Sequence, residues 1–598
     1  MGRFSRAGGY IFPFRAEKDT IFRRRKVTPG NPGGFGKVFP RRRLHFPVPR
    51  GNTAEYPRRT PLPAPIGRCG TTNETIKIRY IMKKFLVIAA LFLGAMTANG
   101  KATAQVKFSA DFECGSMEKV ELVSQENKNG TESYTYNFYS RFDPANPARP
   151  TLAPSARWYY FKMEGVKGKE VILNVKNSDA RRPFYSYDNV NWTRFSETES
   201  PDEKTIIKKY DQDVVYIAYY VPYTYSHLLE KIKEWVKNDW VGLSSIGKSE
   251  HGRNMPLLTI TNRNLKKDKK VVYIHGRVHT SETPGSWHLE RMIDILVSDT
   301  PYANNLRENT IFYVLPFTNP DGVVEGNSRS NSNGVNMEVN WDDPEEVTTQ
   351  EVKNMRAFLQ SIGPKNVDVF LNMHSQSMHQ ATYWVHTAET SSDKFYKNLM
   401  VLANLTMNDN PYFAKKDLCF SKMGSRYCEG WFWNNSGEKT VAVTFETPYT
   451  YYSQNKKGEW VSQENLKAFA EYNVLALGDY LQQGAPARII VDEPAEATGF
   501  QKMDDHSKFY FGNSYLKATK NGAKVSYKYN GKKNGVSLPD GIYEIYKWSV
   551  GENKTISNEG ENEWVKVGEI KHNGGKKIKF TYTAKEGELV DNFLFKLK

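Results

Sequence analysis

Two histidines and two glutamates stand where metal-assisted hydrolysis would need them. His279 and Glu282 lie three apart in Gly276-Arg277-Val278-His279-Thr280-Ser281-Glu282-Thr283-Pro284. This stretch reads as a turn entering a helix, with Pro284 suited to the first helical turn, so both side chains can face one metal. His374, in Phe370-Leu371-Asn372-Met373-His374-Ser375, directly follows a hydrophobic run and would emerge at the carboxyl edge of a sheet. Two His and one Glu with a fourth position open form a catalytic zinc set, whereas structural zinc takes four protein ligands. Glu446 ends the small and β-branched run Thr440-Val441-Ala442-Val443-Thr444-Phe445-Glu446. Beside activated water it would take the proton during attack on a carbonyl and return it to the leaving nitrogen. Taken singly, each motif has an ordinary alternative: a charged surface turn, a locally bonded histidine, a strand-end carboxylate paired with Lys or Arg.

Three kinds of segment must position these groups. Residues 105–238 hold short strand-like runs such as Trp158-Tyr159-Tyr160-Phe161, Glu170 to Val175 and Asp213 to Tyr220, which predict an antiparallel β-sandwich. Ser226 is the expected cap of a helix through Leu228, Leu229, Ile232 and Trp235. Residues 239–485 alternate buried strands (Lys270 to Ile274, Ile311 to Leu315, Val367 to Leu371) with amphipathic helices (His288 to Ser298, Thr349 to Leu359). That alternation predicts an α/β domain with a mostly parallel or mixed sheet, whose strand carboxyl ends form the ligand crevice. Residues 495–598 return to alternating strands, Lys524 to Tyr529, Gly541 to Tyr546 and Ile578 to Tyr582, and predict a small accessory β-sandwich. Glycan binding, packing on the catalytic domain and simple spacing are all open roles for it.

The ordered set of His279-x-x-Glu282, Asn319-Pro320-Asp321-Gly322-Val323, Arg329, His374 and Glu446 resembles the M14 zinc carboxypeptidase family. Arg277-Val278-His279-Thr280-Ser281-Glu282-Thr283-Pro284 is most similar to the cytosolic-carboxypeptidase branch, in which a β-rich domain precedes the catalytic one. The resemblance implies one Zn2+ per chain held by His279, Glu282 and His374, with Glu446 as general base and acid. It also implies that Arg329 stabilises the oxyanion, where a preorganised cation acts most strongly in the transition state, and that Tyr427 contacts substrate. An exposed arginine and a packed tyrosine are the plain readings of those two positions. The sequence departs from the family at Gly334-Val335-Asn336-Met337-Glu338-Val339-Asn340-Trp341, where the family has Asp for Asn336 and an Asn-Arg clamp on the substrate carboxylate for Glu338-Val339. Charge pairing with a terminal carboxylate is lost there, since like charges repel in a semi-enclosed site. Glu338 is instead a candidate to receive a substrate amine, to pair with Arg277 or Arg426, or to mark a lost activity, and Arg277 is a candidate substrate contact. The implied activity is hydrolysis of a peptide or related amide, with peptides or peptidoglycan peptides as substrates; a zinc-containing binding protein for peptide or glycan is the alternative.

The net charge of +17 points to nucleic acid only until it is located. Residues 1–81 carry 18 Lys plus Arg against 4 Asp plus Glu; once Lys83, Lys84 and Lys101 are added, residues 102–598 balance. No nucleic-acid partner is therefore expected. The basic, Pro- and Gly-rich 1–81 stretch reads as a disordered or non-native extension. From Met82, a basic pair, an apolar run over Phe85 to Met96 and Ala102-Thr103-Ala104 have the layout of a signal peptide over 82–104, too short for a comfortable membrane span. The expectation is a periplasmic or secreted protein with no stable membrane insertion. Cys419 and Cys428 could pair, leaving Cys114 free.

Overall fold

A computed structural model describes residues 105–598 apart from 378, 408–409, 454–458, 482–487, 492–493, 506–507, 510–513, 531–539, 553–563 and 574–576. The predicted extension over 1–81 and signal peptide over 82–104 lie outside the described residues.

The N-terminal domain has a five-stranded and a four-stranded sheet. In the latter, Thr131–Tyr139 alternates so that Tyr134, Tyr136 and Phe138 are buried, as the period of two requires for a strand with one face inward. Phe138 stacks on Phe161 of the other sheet with centroids 4.5 Å apart. The predicted pairing needs one correction: Thr131–Tyr139 and Glu170–Val175 run parallel. The helix spans Tyr225–Trp235 and buries Leu228, Ile232 and Trp235. Its cap is Thr224, whose hydroxyl accepts from the His227 amide at 3.0 Å, and not Ser226, whose amide instead donates to Glu113.

The central domain is built on eight strands in the spatial order Val241–Lys248, Asn254–Ile260, Thr310–Leu315, Lys270–Gly276, Val369–Gln376, Val441–Pro448, Thr382–His386 and Leu418–Ser421. The middle four are parallel neighbours while antiparallel pairs flank them, so the sheet is mixed. Alternate residues of these strands feed two cores. Val272, Ile274, Leu371 and Val443 pack with Leu289 and Phe469, and Tyr273, Phe370 and Ala442 pack with Met355, Leu359 and Phe432. Burial of both faces accounts for the near-continuous apolar runs read from the sequence. Val369–Gln376 is buried throughout, and Thr283–Val297 starts with its Pro in the first turn, as expected. Gly285 lets that helix approach the sheet: a Cβ there would lie 3.0 Å from the His374 carbonyl oxygen.

Further strand sheets make up the C-terminal region and include all three predicted segments, within Ala523–Asn530, Gly541–Trp548 and Lys577–Ala584. They enclose a separate core of residues such as Ile489, Val525, Tyr527, Ile545 and Phe595. Cys114, Cys419 and Cys428 are all free, so the pairing considered for the last two does not form. Cys419 lies in the strand Leu418–Ser421 and Cys428 opens the helix Cys428–Ser436, with its thiol packed towards Asn372.

Candidate active site

Two adjacent parallel strands end in register, placing His374 directly beside Glu446. His279 arrives from the turn after Lys270–Gly276, and Glu282 from the start of Thr283–Val297. Glu282 joins the two imidazoles: its Oε1 is 2.8 Å from His279 Nδ1 and its Oε2 is 2.8 Å from His374 Nδ1. Oε2 also accepts from the Ser375 amide at 3.0 Å. All three side chains are buried. Burial works against ionisation of Glu282, but the flanking imidazoles hold its carboxyl well below the usual range. Burial likewise opposes charge on His374, and Glu282 overrides it, pushing the imidazolium up to about 9.

The far edge of His279 faces the departure from the family motif. His279 Nε2 lies 3.1 Å from Asn336 Oδ1 and 3.2 Å from Glu338 Oε2. An amide oxygen at position 336 thus still meets the ring. Glu338 also pairs with Arg329 Nη2 at 3.2 Å, while Arg329 Nη1 stands 3.7 Å from Glu282. Burial would raise the Glu338 carboxyl, yet His279, and after it His374 and Arg329, hold it down to about 2. Of the three partners considered for Glu338, neither Arg277 nor Arg426 is the one found. Arg426 donates to the Tyr427 hydroxyl at 2.8 Å. Arg277 is buried with its backbone in the left-handed region (φ 61°), and its guanidinium is spent on the carbonyls of Thr280 and Tyr223 and the Ser286 hydroxyl. The substrate-contact role considered for Arg277 is therefore corrected to one of fixing the turn that carries His279.

Glu446 is held by a residue that the sequence reading missed: Trp384 Nε1 donates to its Oε1 at 2.6 Å. Burial, with Glu282 adding to it, raises the Glu446 carboxyl, in the direction useful to a group that must accept and return a proton. Asp143 is a second missed residue. It reaches from the N-terminal domain to accept from the amides of Ser328 (2.6 Å), Arg329 (2.8 Å) and Ser330 (2.9 Å). Gly334 follows in the same segment, with φ 76° and room for no Cβ, which would come within 2.5 Å of the Pro144 carbonyl oxygen. Asp143→Ala is expected to destabilise the protein by about 3 kcal/mol, because several buried amides lose a charged acceptor. It should also lower kcat by displacing Arg329; urea unfolding and steady-state kinetics check the two effects.

The donor set suits a metal. Ligand atoms of His279, Glu338 and His374 lie within 4.8 Å of one another, and His374 Nε2 is buried without a hydrogen-bond partner. Together with Glu282, two imidazoles and two carboxylates converge, which is the ligand chemistry of zinc. Residues 228–475 match the family model for zinc carboxypeptidases, and residues 108–220 match the model for the cytosolic carboxypeptidase N-terminal domain. The chain carries an M14 zinc carboxypeptidase domain preceded by a cytosolic carboxypeptidase N-terminal domain. It is a metallopeptidase, and Zn2+ is the family's cofactor. Cytosolic carboxypeptidase 6 of Mus musculus is 28% identical over 60% of this chain and 72% of its own length. Cytosolic carboxypeptidase 2 of Danio rerio is 29% identical over 41% of this chain and 37% of its own. A metallo-carboxypeptidase from Burkholderia cenocepacia shares the fold, with a TM-score of 0.54 and 20% identity over 63% of this chain and 99% of that one.

Cytosolic carboxypeptidases 6 and 2 are among the matching relatives, and the N-terminal family model is that of the cytosolic carboxypeptidases. These matches overturn the expectation of a periplasmic or secreted protein and point to a cytosolic one.

Proposed function

We propose that this chain hydrolyses peptide bonds with a zinc ion held by His279, Glu282 and His374, Glu446 serving as base and acid and Arg329 as oxyanion partner. The observation that carries this reading is the placement of Glu282 at 2.8 Å from one nitrogen of each imidazole, with Glu446 in register beside His374. Glu282 is favoured over Glu338 as the ligand because it touches both rings. Zinc, when bound, supplies a Lewis acid that polarises the carbonyl and makes water nucleophilic at neutral pH. Glu446 receives the water's proton and passes it to the departing amine, and the Trp384 indole N–H fixes the carboxylate in place. Arg329 offers a cation to the carbonyl oxygen as negative charge grows there. Asn336 accepts from His279 Nε2–H, keeping Nδ1 free for the metal.

Peptides are the substrates of the family, but the means of gripping a terminal carboxylate differs here. Val339 supplies no cation, and Glu338 turns to Arg329 and His279. Strict dependence on a free terminal carboxylate is therefore not part of the proposal. Mass-spectrometric product mapping on a peptide library, with zinc-loaded and chelated protein, tests it: zinc-dependent cleavage is expected, and absence of any product from the zinc-loaded protein defeats the hydrolase reading.

Metal and protons compete for the same atoms. Zinc takes neutral imidazole, while the His374 ring in metal-free protein keeps its proton up to about 9. Apparent zinc affinity is thus expected to climb about tenfold per pH unit below that value and to level off above it. Calorimetry in buffers of different ionisation enthalpy should register a released proton; a flat affinity between pH 6 and 8 contradicts the assignment.

A further inference from the structure

A cavity of about 630 Å³ lies at the seam between the N-terminal and central domains, and His279, Glu282, His374 and Glu446 take no part in its wall. Tyr160, Phe112, Trp192 and Tyr216 line it from the N-terminal domain, and Trp287 from the helix Thr283–Val297. The rings are steeply inclined: Phe112 stands at 71° to Tyr160 and 72° to Tyr216, and Trp192 at 66° to Tyr160. Centroid separations of 4.7, 6.0 and 5.8 Å keep them in one cluster. The turn that carries Trp192 is fixed beforehand. Asp188 accepts from the amides of Val190 at 2.9 Å and Asn191 at 2.7 Å, and the Tyr160 hydroxyl donates to Asn189. Two carboxylates share the wall, the exposed Asp111 and the half-buried Glu113. Among the described residues neither has a basic side chain within salt-bridge distance; Glu113 accepts from the Ser226 amide at 2.9 Å through one oxygen, Oε1. The basic side chains of the wall are matched elsewhere, since Lys162 Nζ meets Glu164 at 3.1 Å and His227 Nε2 meets Glu290 at 2.8 Å.

Ring faces and unmatched carboxylates attract the same kind of guest. A cation over an aromatic face is held by the ring quadrupole, and more strongly where water is displaced. Rings turned 66° to 72° from one another suit a compact charge, whereas a sugar ring stacks on a flat platform. We infer that this cavity binds an organic cation, an alkylated ammonium, held against the rings and beside Asp111 and Glu113. Alkylation favours the guest, because ring faces offer no lone pairs to the three N–H donors of a primary ammonium. The volume is that of a small-molecule pocket, and the preset turn spares the guest the cost of ordering its wall. Both domains supply that wall, so an occupant bridges them. The site is separate from the zinc ligands and does not rest on the hydrolase reading.

Calorimetry on zinc-loaded full-length protein tests it with choline and two analogues. Neohexyl alcohol keeps the shape of choline without the charge, and ethanolamine keeps the charge without the methyl groups. One-to-one binding of choline is expected, tighter than that of either analogue by about tenfold or more. A peptide carrying trimethyllysine distinguishes the sources of the head group: binding tighter than that of choline assigns it to a protein side chain, and weaker binding assigns it to a free molecule. Asp111→Asn combined with Glu113→Gln, and separately Trp192→Ala, should each weaken choline binding by about tenfold while zinc content stays at the wild-type value. Absence of choline binding at millimolar concentration overturns the inference. So does equal affinity for neohexyl alcohol, or an affinity that survives the paired carboxylate exchange, which would place the cation elsewhere. The carboxylate exchange is isosteric and Asp111 is exposed, so it and the wild-type ratios decide even if Trp192→Ala fails to fold.

Discussion

Exchange of Glu446 for glutamine is expected to lower kcat for peptide hydrolysis by about 10²–10⁴-fold, the range that a positioned general base and acid contributes. Zinc content should stay at the wild-type value. The size of the effect follows from the position. Glu446 sits beside His374 in the parallel register, so its carboxylate is fixed by two strands and not by a mobile loop. Trp384 holds Oε1, and glutamine can keep that bond by presenting its own Oε1 to the indole, so the exchange removes proton transfer and little else. The raised proton affinity of Glu446, caused by burial and then by Glu282, would be lost together with the acid limb of the pH profile. Zinc analysis of the purified variant and single-turnover kinetics separate chemistry from binding. A variant with full zinc and kcat within a few-fold of the wild type would show that the proton travels by another group.

Much of this site was legible because strands buried on both faces leave a plain trace. The apolar runs before His374 and Glu446 located both as strand ends, and both lie in the strands so predicted. Their direct apposition was not legible, since register depends on strand order across the sheet and not on either segment. The same limit hid Asp143, whose bonds to the Arg329 segment span some 185 residues. Arg277 was misread because sequence adjacency to His279 says nothing of a left-handed backbone that turns the guanidinium inward. Proximity misled in the cysteines as well: Cys419 and Cys428 lie nine positions apart, but one sits in a strand and the other in a helix. Ser226 and Thr224 are both good caps, and their two-residue offset was decided by Glu113 taking the Ser226 amide. Localisation was drawn from residues 82–104, a segment apart from the domains that matched relatives.

Removal of the charge at Arg329 is the second large effect. Arg329→Met is expected to reduce kcat by about 10²–10³-fold, the cost of deleting one preorganised oxyanion donor, with substrate KM moving little. The resting geometry sets a condition on this result. Arg329 lies 3.2 Å from Glu338 and 3.7 Å from Glu282, so its cation is divided between carboxylates before any carbonyl oxygen arrives. A charge already neutralised by a neighbour stabilises an oxyanion less than a free one, because forming the new contact weakens the old. Glu338→Asn restores the residue type of the family motif, removes one competitor and leaves Arg329 in place. It should therefore raise kcat, and its benefit should vanish in the Arg329→Met background. A double-mutant cycle on kcat measures that coupling. Additive effects would mean that Glu338 acts through His279, 3.2 Å away on its other side, and not through the arginine. In that case zinc affinity, and not kcat, should carry the change, and competition with a chelator would detect it.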